Sequence, residues 1–242
     1  MAFELRTQGA QRAAGTGTLS QAQIDEGLRS YMLRVYNYMA SGLALTGIVA
    51  YIVAHTGLYA TLMTSGAGFI VMLAPLGIVF FMSMKLQSMK ASTAQILFWV
   101  FSALMGASLS YVFIRYTDAS VARVFFISAG TFAAASLYGY TTKRSLAKFG
   151  SFLFMGLIGL IIAMVVNIFL GSSTLEFVIS ALGVLVFTGL TAFDTQRIKE
   201  TYEETDGREV TLKKSIFGAL ALYLNFINLF IMLMHLLGAS RE

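Results

Sequence analysis

The sequence contains no cysteine, a single proline and few charges, and each of these shortages excludes a class of protein. Without cysteine, the chain has no disulfide framework, no thiol nucleophile and no thiolate metal site. The lone proline, Pro75, argues against long proline-rich linkers. Only 12% of the 242 residues are charged and 57% are hydrophobic, which is too apolar for an ordinary water-soluble domain. We therefore expect the lipid bilayer to be the main partner of this chain.

Sequence motifs of common hydrolases are also absent. No GxSxG or HExxH stretch occurs, and the two histidines, His55 and His235, are far apart in the chain. Intramembrane aspartyl proteolysis would need a pair of membrane carboxylates, whereas Asp194 is the one aspartate convincingly placed for that role. We therefore predict that the protein is not an enzyme and carries no cofactor.

Seven apolar stretches follow a polar N-terminal segment. Residues 1–28 lack the apolar core of a signal peptide, which predicts a flexible, uncleaved cytoplasmic tail. Because about 20 apolar residues cross the hydrocarbon core as a helix, each later stretch predicts one span. The predicted spans are residues 35–54, 67–84, 93–114, 121–140, 149–170, 175–193 and 215–237. The predicted fold is an all-α membrane protein in which residues 29–242 form a seven-helix transmembrane domain.

The lysines and arginines predict the orientation of these spans. With the N-terminus in the cytoplasm, 14 basic residues fall inside and three outside. The inner set is Arg6, Arg12, Arg29, Arg34, Lys85, Lys90, Lys143, Arg144, Lys148, Arg197, Lys199, Arg208, Lys213 and Lys214; the outer set is Arg115, Arg123 and Arg241. The positive-inside rule therefore predicts a cytoplasmic N-terminus and an outer C-terminus. It also accounts for the net charge of +5, so we expect no nucleic-acid binding.

Asp194 is the strongest candidate for a functional residue, because an isolated charge near hydrocarbon is costly. It lies at the predicted cytoplasmic end of the sixth span, and Thr191 and Thr188 precede it in a polar stripe on one helical face. This stripe fits a path for protons or cations. An interfacial carboxylate that pairs with Arg197 or with water fits the same spacing, so both interpretations remain open.

Asn225 and Asn228 lie three residues apart in the last span and therefore share a helical face. Both amides need hydrogen-bond partners within a membrane. They can join neighbouring helices, or they can line a hydrophilic pathway near Asp194. The spacing alone is compatible with either role.

Three motifs give the chain a resemblance to a known family: GYTTKRSLAKFG at 139–150, GLTAFDTQRIK at 189–199 and LYLNFINLF at 222–230. They are similar to motifs of bacterial members of the Bax inhibitor family, and the resemblance covers nearly all of the chain after about Arg29. It implies seven helices, of which the last is central and surrounded by the other six. It also implies residence in the bacterial inner membrane.

The resemblance implies two alternative functions. One is a pH-influenced leak of cations, with calcium as the permeant ion. The other is a non-channel interaction protein that modulates a membrane-bound AAA protease or a membrane-stress response. The first of these places a gate at Asp194 and Asn225 on the cytoplasmic side.

In the family pattern, that gate is a latch of two carboxylates that share a proton. Asp194 matches the first acid, but Asn225 replaces the second, and an amide donates its hydrogen bond at any pH. We therefore expect a weaker pH response. Asn228, Thr191 and Lys85 complete the predicted gate and pathway, with Lys85 as the nearest match to a basic residue of the family's second helix. One carboxylate offers calcium a transient contact only, since calcium favours several oxygen ligands.

Overall fold

The described part of the chain folds into nine α-helices. The structure is a computed structural model that describes residues 21–85 and 88–241. The helices are α1 (Gln21–His55), α2 (Leu58–Thr64), α3 (Ala67–Lys85), α4 (Ala91–Leu109), α5 (Tyr111–Arg115), α6 (Asp118–Thr141), α7 (Ala147–Leu170), α8 (Ser173–Glu200) and α9 (Arg208–Leu237).

Seven helical segments of these described residues are long and apolar enough to cross a membrane. They are α1, α3, α4 together with α5, α6, α7, α8 and α9. The predicted all-α membrane protein with seven transmembrane helices is therefore confirmed. Most of the large exposed side chains of α3 and α7 are apolar, as expected where helices contact lipid.

Several helices extend beyond the apolar stretches that predicted them. The first helix begins at Gln21 and α8 continues to Glu200, because helix ends in water can carry polar residues that hydropathy does not mark. The ring of Tyr202, which follows α8, packs against Gly27 and lies 5.5 Å from the ring of Tyr31. Residues 21–28 of the predicted tail therefore belong to α1. Residues 1–20 of that prediction lie outside the described residues.

The basic side chains separate to the two ends of the bundle. Of the 15 lysines and arginines among the described residues, twelve lie at the end where α1 begins, and we call this the basic end. Arg115, Arg123 and Arg241 lie at the opposite end. The assignment of the basic end to the cytoplasm remains a prediction of the positive-inside rule.

The last helix is the most buried of the seven spans. In its most apolar stretch 72% of the residues are buried, against 11% to 39% in the other spans. Its main neighbours are α1, α4, α6 and α8, whereas α3 packs mainly against α4 and α7 mainly against α8. The last helix thus has four main neighbours instead of the six that the resemblance implies.

The C-terminal residues fasten the last turn of α9, at the end opposite the basic end, to the loop between α5 and α6. Ser240 forms an antiparallel β-bridge with Tyr116, and the backbone of Arg241 continues the pairing. The Arg241 guanidinium also donates to Asp118, with 2.6 Å between Nη2 and Oδ1. His55 Nε2 lies 3.6 Å from the other oxygen of Asp118. Three spans are therefore joined at this end.

The contact between α6 and α8 depends on a small residue. A Cβ atom at Gly139 would overlap the backbone of Ala192, whereas a Cβ atom at Gly130, on the same helix, would meet open space. Membrane helices use such small residues to bring two backbones together. Gly139 therefore fixes the distance between α6 and the helix that carries Asp194.

We predict that Gly139→Ala lowers the free energy of unfolding by about 1–3 kcal/mol, because the added methyl group forces the two helices apart. Gly130→Ala is the matched control, and it should change stability by less than about 1 kcal/mol, in the stabilising direction, since alanine is the better helix former. Thermal unfolding of the two variants in the same detergent provides the comparison. Equal melting temperatures would contradict the close approach.

Candidate functional site

A hydrogen bond between Asn225 and Asp194 joins α9 to α8 inside the bundle. The Asn225 Nδ2 atom donates to Asp194 Oδ2 over 2.7 Å, and Asn225 is only 6% exposed. Asp194 precedes the last residue of α8 by six positions, so the bond lies about 9 Å from that helix end. The structure therefore brings together the two residues that the sequence predicted to form a gate.

A cavity of about 380 Å³ extends from the basic end to Asp194, and we call it the vestibule. It is enclosed by α1, α3, α8 and α9 together with the first residue after α8. The lining residues are Tyr31, Val79, Ser83, Asp194, Arg197, Ile198, Thr201, Lys214, Phe217, Gly218, Leu220, Ala221 and Leu224. The Asp194 carboxylate thus has a water-sized route toward the basic end.

Two cations, Arg197 and Lys214, line the vestibule between the basic end and this carboxylate. Lys214 is held by a 2.6 Å ion pair with Asp206 and by a 2.9 Å hydrogen bond from Nζ to the carbonyl of Thr201. Arg197 is exposed and forms no ion pair with Asp194 within the described residues. The pairing of Asp194 with Arg197, which the spacing allowed, is therefore not formed, and the partner of Asp194 is an amide.

The other two predicted pathway residues on these helices bond to their own backbones. Thr191 Oγ1 donates to the carbonyl of Phe187 over 2.8 Å, and Asn228 Nδ2 donates to the carbonyl of Leu224 over 2.8 Å. Neither side chain is hydrogen-bonded to Asp194. Their part in a pathway remains a prediction.

A buried hydroxyl lies farther from the basic end than Asp194. The Thr188 Oγ1 atom has no hydrogen-bond partner in the described part of the chain. Two contacts define how the antiparallel helices α8 and α9 are aligned: Asp194 faces Asn225, and Gly183 faces the Met232 side chain. Thr188 lies between Asp194 and Gly183 on α8, so it is at about the level of Asn228 on α9. Thr188 therefore lies about 9 Å deeper along α8 than Asp194, on a face turned about 120° from it.

The structure does not bring Lys85 to Asp194. Lys85 is the last residue of α3, is exposed and does not line the vestibule, whereas Ser83 and Val79 of the same helix do. Two residues along an α-helix are about 200° apart around its axis, so the face that turns Ser83 inward turns Lys85 away. Lys85 does lie at the basic end of α3, where the family match puts a basic residue, and its part in a gate or pathway remains a prediction.

Three consecutive residues of the second motif contact three different parts of the protein. Asp194 binds α9, while Thr195 Oγ1 lies 3.0 Å from Ser136 Oγ of α6. The amide of Gln196 then accepts from the Leu146 backbone over 2.7 Å and donates to the Arg144 carbonyl over 2.9 Å. Successive helical residues point about 100° apart, which allows this division. The DTQ sequence thus anchors α8 to its surroundings as well as supplying the acid.

Sequence reasoning missed a second polar contact, which holds α9 against α1 and α4. The Tyr223 hydroxyl is fully buried and lies 2.6 Å from Thr46 Oγ1, which in turn lies 2.8 Å from the Ser102 carbonyl. Tyr223 was visible in the third motif, two residues before Asn225, but its partners are far away in the sequence. This contact fixes the rotation of α9 and therefore the direction of the Asn225 amide.

The described residues contain no group of three or more His, Cys, Asp or Glu side chains that could hold a metal ion. Asp194 is one carboxylate, and its nearest polar partner is the Asn225 amide group. Calcium in tight protein sites has six to eight oxygen ligands. The site geometry supports, at most, a passing contact with a cation.

Comparison with known proteins assigns the chain to a family. Residues 28–242 match the family described as "Inhibitor of apoptosis-promoting Bax1". The protein therefore belongs to the Bax inhibitor family, as the three motifs indicated, and it is an integral membrane protein of that family.

Curated relatives cover nearly the whole chain. An uncharacterized protein of Rickettsia prowazekii, RP147, is 51% identical over 228 residues, which are 94% of this chain and 97% of the relative. Inner membrane protein YbhL of Escherichia coli K12 is 45% identical over 219 residues, 89% of this chain and 94% of the relative. An uncharacterized protein of Caulobacter vibrioides is 45% identical over 230 residues, 90% of this chain and 92% of the relative.

We predict that Asn225→Leu destabilises the protein by about 1–3 kcal/mol, because the half-buried Asp194 carboxylate loses its hydrogen-bond donor. Asn228→Leu is the matched control and should cost less, since its amide bonds only to its own helix. Melting temperatures of both variants in one detergent test this difference. A larger loss in the Asn228 variant would show that Asp194 does not depend on Asn225.

Proposed function

We propose that this protein is a cation leak of the bacterial inner membrane, with calcium as the permeant ion, and that the Asp194–Asn225 hydrogen bond is its closed gate. In this proposal the basic end and the N-terminus face the cytoplasm, and the C-terminus lies on the periplasmic side. The family assignment and the inner-membrane relative support the setting. The placement of Asp194 supports the mechanism.

The single observation that carries the proposal is a carboxylate at the inner end of a cavity within a membrane bundle. Asp194 uses Oδ2 to accept from Asn225, while Oδ1 has no hydrogen bond within the described residues. Carboxylate oxygens are ligands that calcium prefers. Oδ1 can therefore contact a cation that enters the vestibule, without the many ligands that would hold the ion tightly.

The charges around Asp194 favour a slow leak over a storage site. The positive charge of Lys214 is largely offset by its ion pair with Asp206, whereas Arg197 has no such partner within the described residues. A cation near the entrance lowers the local concentration of other cations. Ions would pass Asp194 infrequently and leave it readily.

Movement of α9 relative to α8 would open the route. Beyond the gate lie the polar side chains of Asn228 on α9 and Thr188 on α8, and deeper still the Met232 side chain packs against Gly183. Breaking the Asp194–Asn225 bond would allow α8 and α9 to move apart at that level, while the hydrogen bond from Lys214 to the Thr201 carbonyl would hold them nearer the basic end. Displacement of Met232 would complete the passage.

We predict that purified protein in liposomes lets calcium reach an enclosed dye. The Asp194→Asn variant should reduce this calcium flux roughly tenfold, which corresponds to a loss of about 1.4 kcal/mol in the stabilisation of the passing ion. Glu200→Gln is the matched control, because it removes an exposed acid from the same end of α8, outside the vestibule. Its flux should equal that of the wild type.

Failure of wild-type protein to exceed empty liposomes would overturn the leak and favour the alternative, an interaction protein that modulates a membrane AAA protease or a stress response. Equal losses in the Asp194 and Glu200 variants would instead remove Asp194 from the pathway. Deletion of residues 1–20 should leave calcium flux unchanged, because it preserves the whole of α1.

We predict that Asn225→Asp makes the flux vary more between about pH 6 and about pH 8 than it does in the wild type. Two facing carboxylates can share one proton, and loss of that proton creates a repulsion that an amide and a carboxylate lack. Flux measured across this range in matched liposomes tests the change. Identical pH profiles would show that the residue at 225 does not set the pH response.

A further inference from the structure

We propose that two adjoining grooves on α1 at the basic end bind one anionic phospholipid of the surrounding leaflet. The polar groove would hold the headgroup and the apolar groove an acyl chain. Both grooves lie outside the vestibule and share no lining residue with it. The proposal therefore goes beyond the cation leak and does not depend on it.

The headgroup groove is a cavity of about 540 Å³ between α1 and α4. Eight residues of α1 and one of α4 line it: Glu26, Arg29, Ser30, Leu33, Arg34, Asn37, Tyr38, Ser41 and Trp99. Two arginines against one glutamate give it a net charge of +1. Guanidinium groups bind phosphate oxygens through paired hydrogen bonds, so the charge and the donors both fit a phosphodiester.

Three polar side chains of this groove, Arg29, Arg34 and Asn37, lack partners among the described residues. The Arg29 and Arg34 guanidiniums and the Asn37 amide form no hydrogen bond or ion pair among the described residues. Asn37 is exposed and lies one helical turn farther into the bundle than Arg34. An amide facing lipid is costly unless a ligand accepts its hydrogen bond. The ester oxygens of a glycerophospholipid are acceptors of this kind.

The chain groove is a cavity of about 580 Å³ between α1 and α6. It shares Arg29 and Leu33 with the headgroup groove and is otherwise lined mainly by Met32, Tyr36, Phe132, Ala133, Ser136, Leu137 and Tyr140. Of the three hydroxyls among these, those of Tyr36 and Ser136 lie 2.6 Å apart and bond to each other. The remaining surface of the chain groove is mostly apolar, and the Arg29 guanidinium lies where it meets the headgroup groove. A phospholipid needs this arrangement, because its acyl chain is attached next to its phosphate.

The position of the grooves favours a membrane lipid as the occupant. Leu33 is 52% exposed and Leu137 is 64% exposed, so the chain groove opens sideways from the bundle. Trp99 borders the headgroup groove, and tryptophan is enriched at the depth of lipid headgroups. The N-terminal segment of residues 1–20 suits the groove less well, because it carries Arg6 and Arg12 against the single acid Glu4.

The first test measures binding of phosphatidylglycerol to delipidated full-length protein by native mass spectrometry. Arg29→Gln with Arg34→Gln should weaken binding roughly twentyfold, about four- to fivefold for each basic residue beside an anionic lipid. Arg144→Gln with Lys148→Gln is the matched control, since it removes two exposed charges from the same end outside both grooves. The control should bind as the wild type does.

The second test fills the chain groove. Ala133→Phe should weaken phosphatidylglycerol binding severalfold, while Ala134→Phe, on an exposed neighbouring position outside the groove, should not. Inorganic phosphate should compete poorly with the lipid, because it cannot occupy the chain groove. Phosphatidylcholine should bind more weakly than phosphatidylglycerol, because it carries no net negative charge.

Four outcomes would overturn the proposal: equal losses in the arginine variant and its control, equal behaviour of the two alanine variants, full competition by inorganic phosphate, or equal binding of phosphatidylcholine. A variant without residues 1–20 should retain the wild-type affinity. Markedly tighter lipid binding by that variant would instead identify the N-terminal segment as the occupant of the grooves.

Discussion

The hydrogen bond between the Asn225 amide and the Asp194 carboxylate is the interaction on which the interior of this protein depends. A carboxylate among membrane helices needs a partner, because hydrocarbon offers none. Here the partner comes from the most buried helix, so the position of α9 and the environment of the acid are determined together. Tyr223, two residues before Asn225, holds α9 against Thr46 and fixes the rotation that directs the amide toward α8.

The same bond connects the local chemistry to the rest of the bundle. Thr195 bonds to α6, and Gln196 bonds to the loop between α6 and α7. These bonds hold in place the turn of α8 that carries Asp194. At the opposite end, the pairing of Ser240 with Tyr116 holds the end of α9. On the vestibule side, Lys214 of α9 hydrogen-bonds to the Thr201 carbonyl, so α8 and α9 are joined there by two polar contacts, at Asp194 and at Thr201.

Much of the fold could be predicted from the sequence, because bilayer thickness sets the length of each apolar stretch. The pairing of Asp194 with Asn225 followed from the family motifs. The helical extension from Gln21 could not be read from hydropathy, since its turns lie in water and are held by contacts such as that with Tyr202. The rotation of α3, which brings Ser83 to the vestibule, depends on tertiary packing that the sequence does not show. The pairing of Ser240 with Tyr116 joins residues too distant in sequence for a local pattern to reveal.

Reactivity of one introduced cysteine would test most directly whether the Asp194–Asn225 bond closes the vestibule. The chain has no cysteine of its own, so labelling of an Asn228→Cys variant would come from that one position, which lies just beyond the Asp194–Asn225 bond. We expect a membrane-impermeant thiol reagent, applied from the side of the basic end, to label this cysteine slowly with Asp194 present and much faster after Asp194→Ala. Equal labelling rates in the two proteins would contradict a gate at this hydrogen bond.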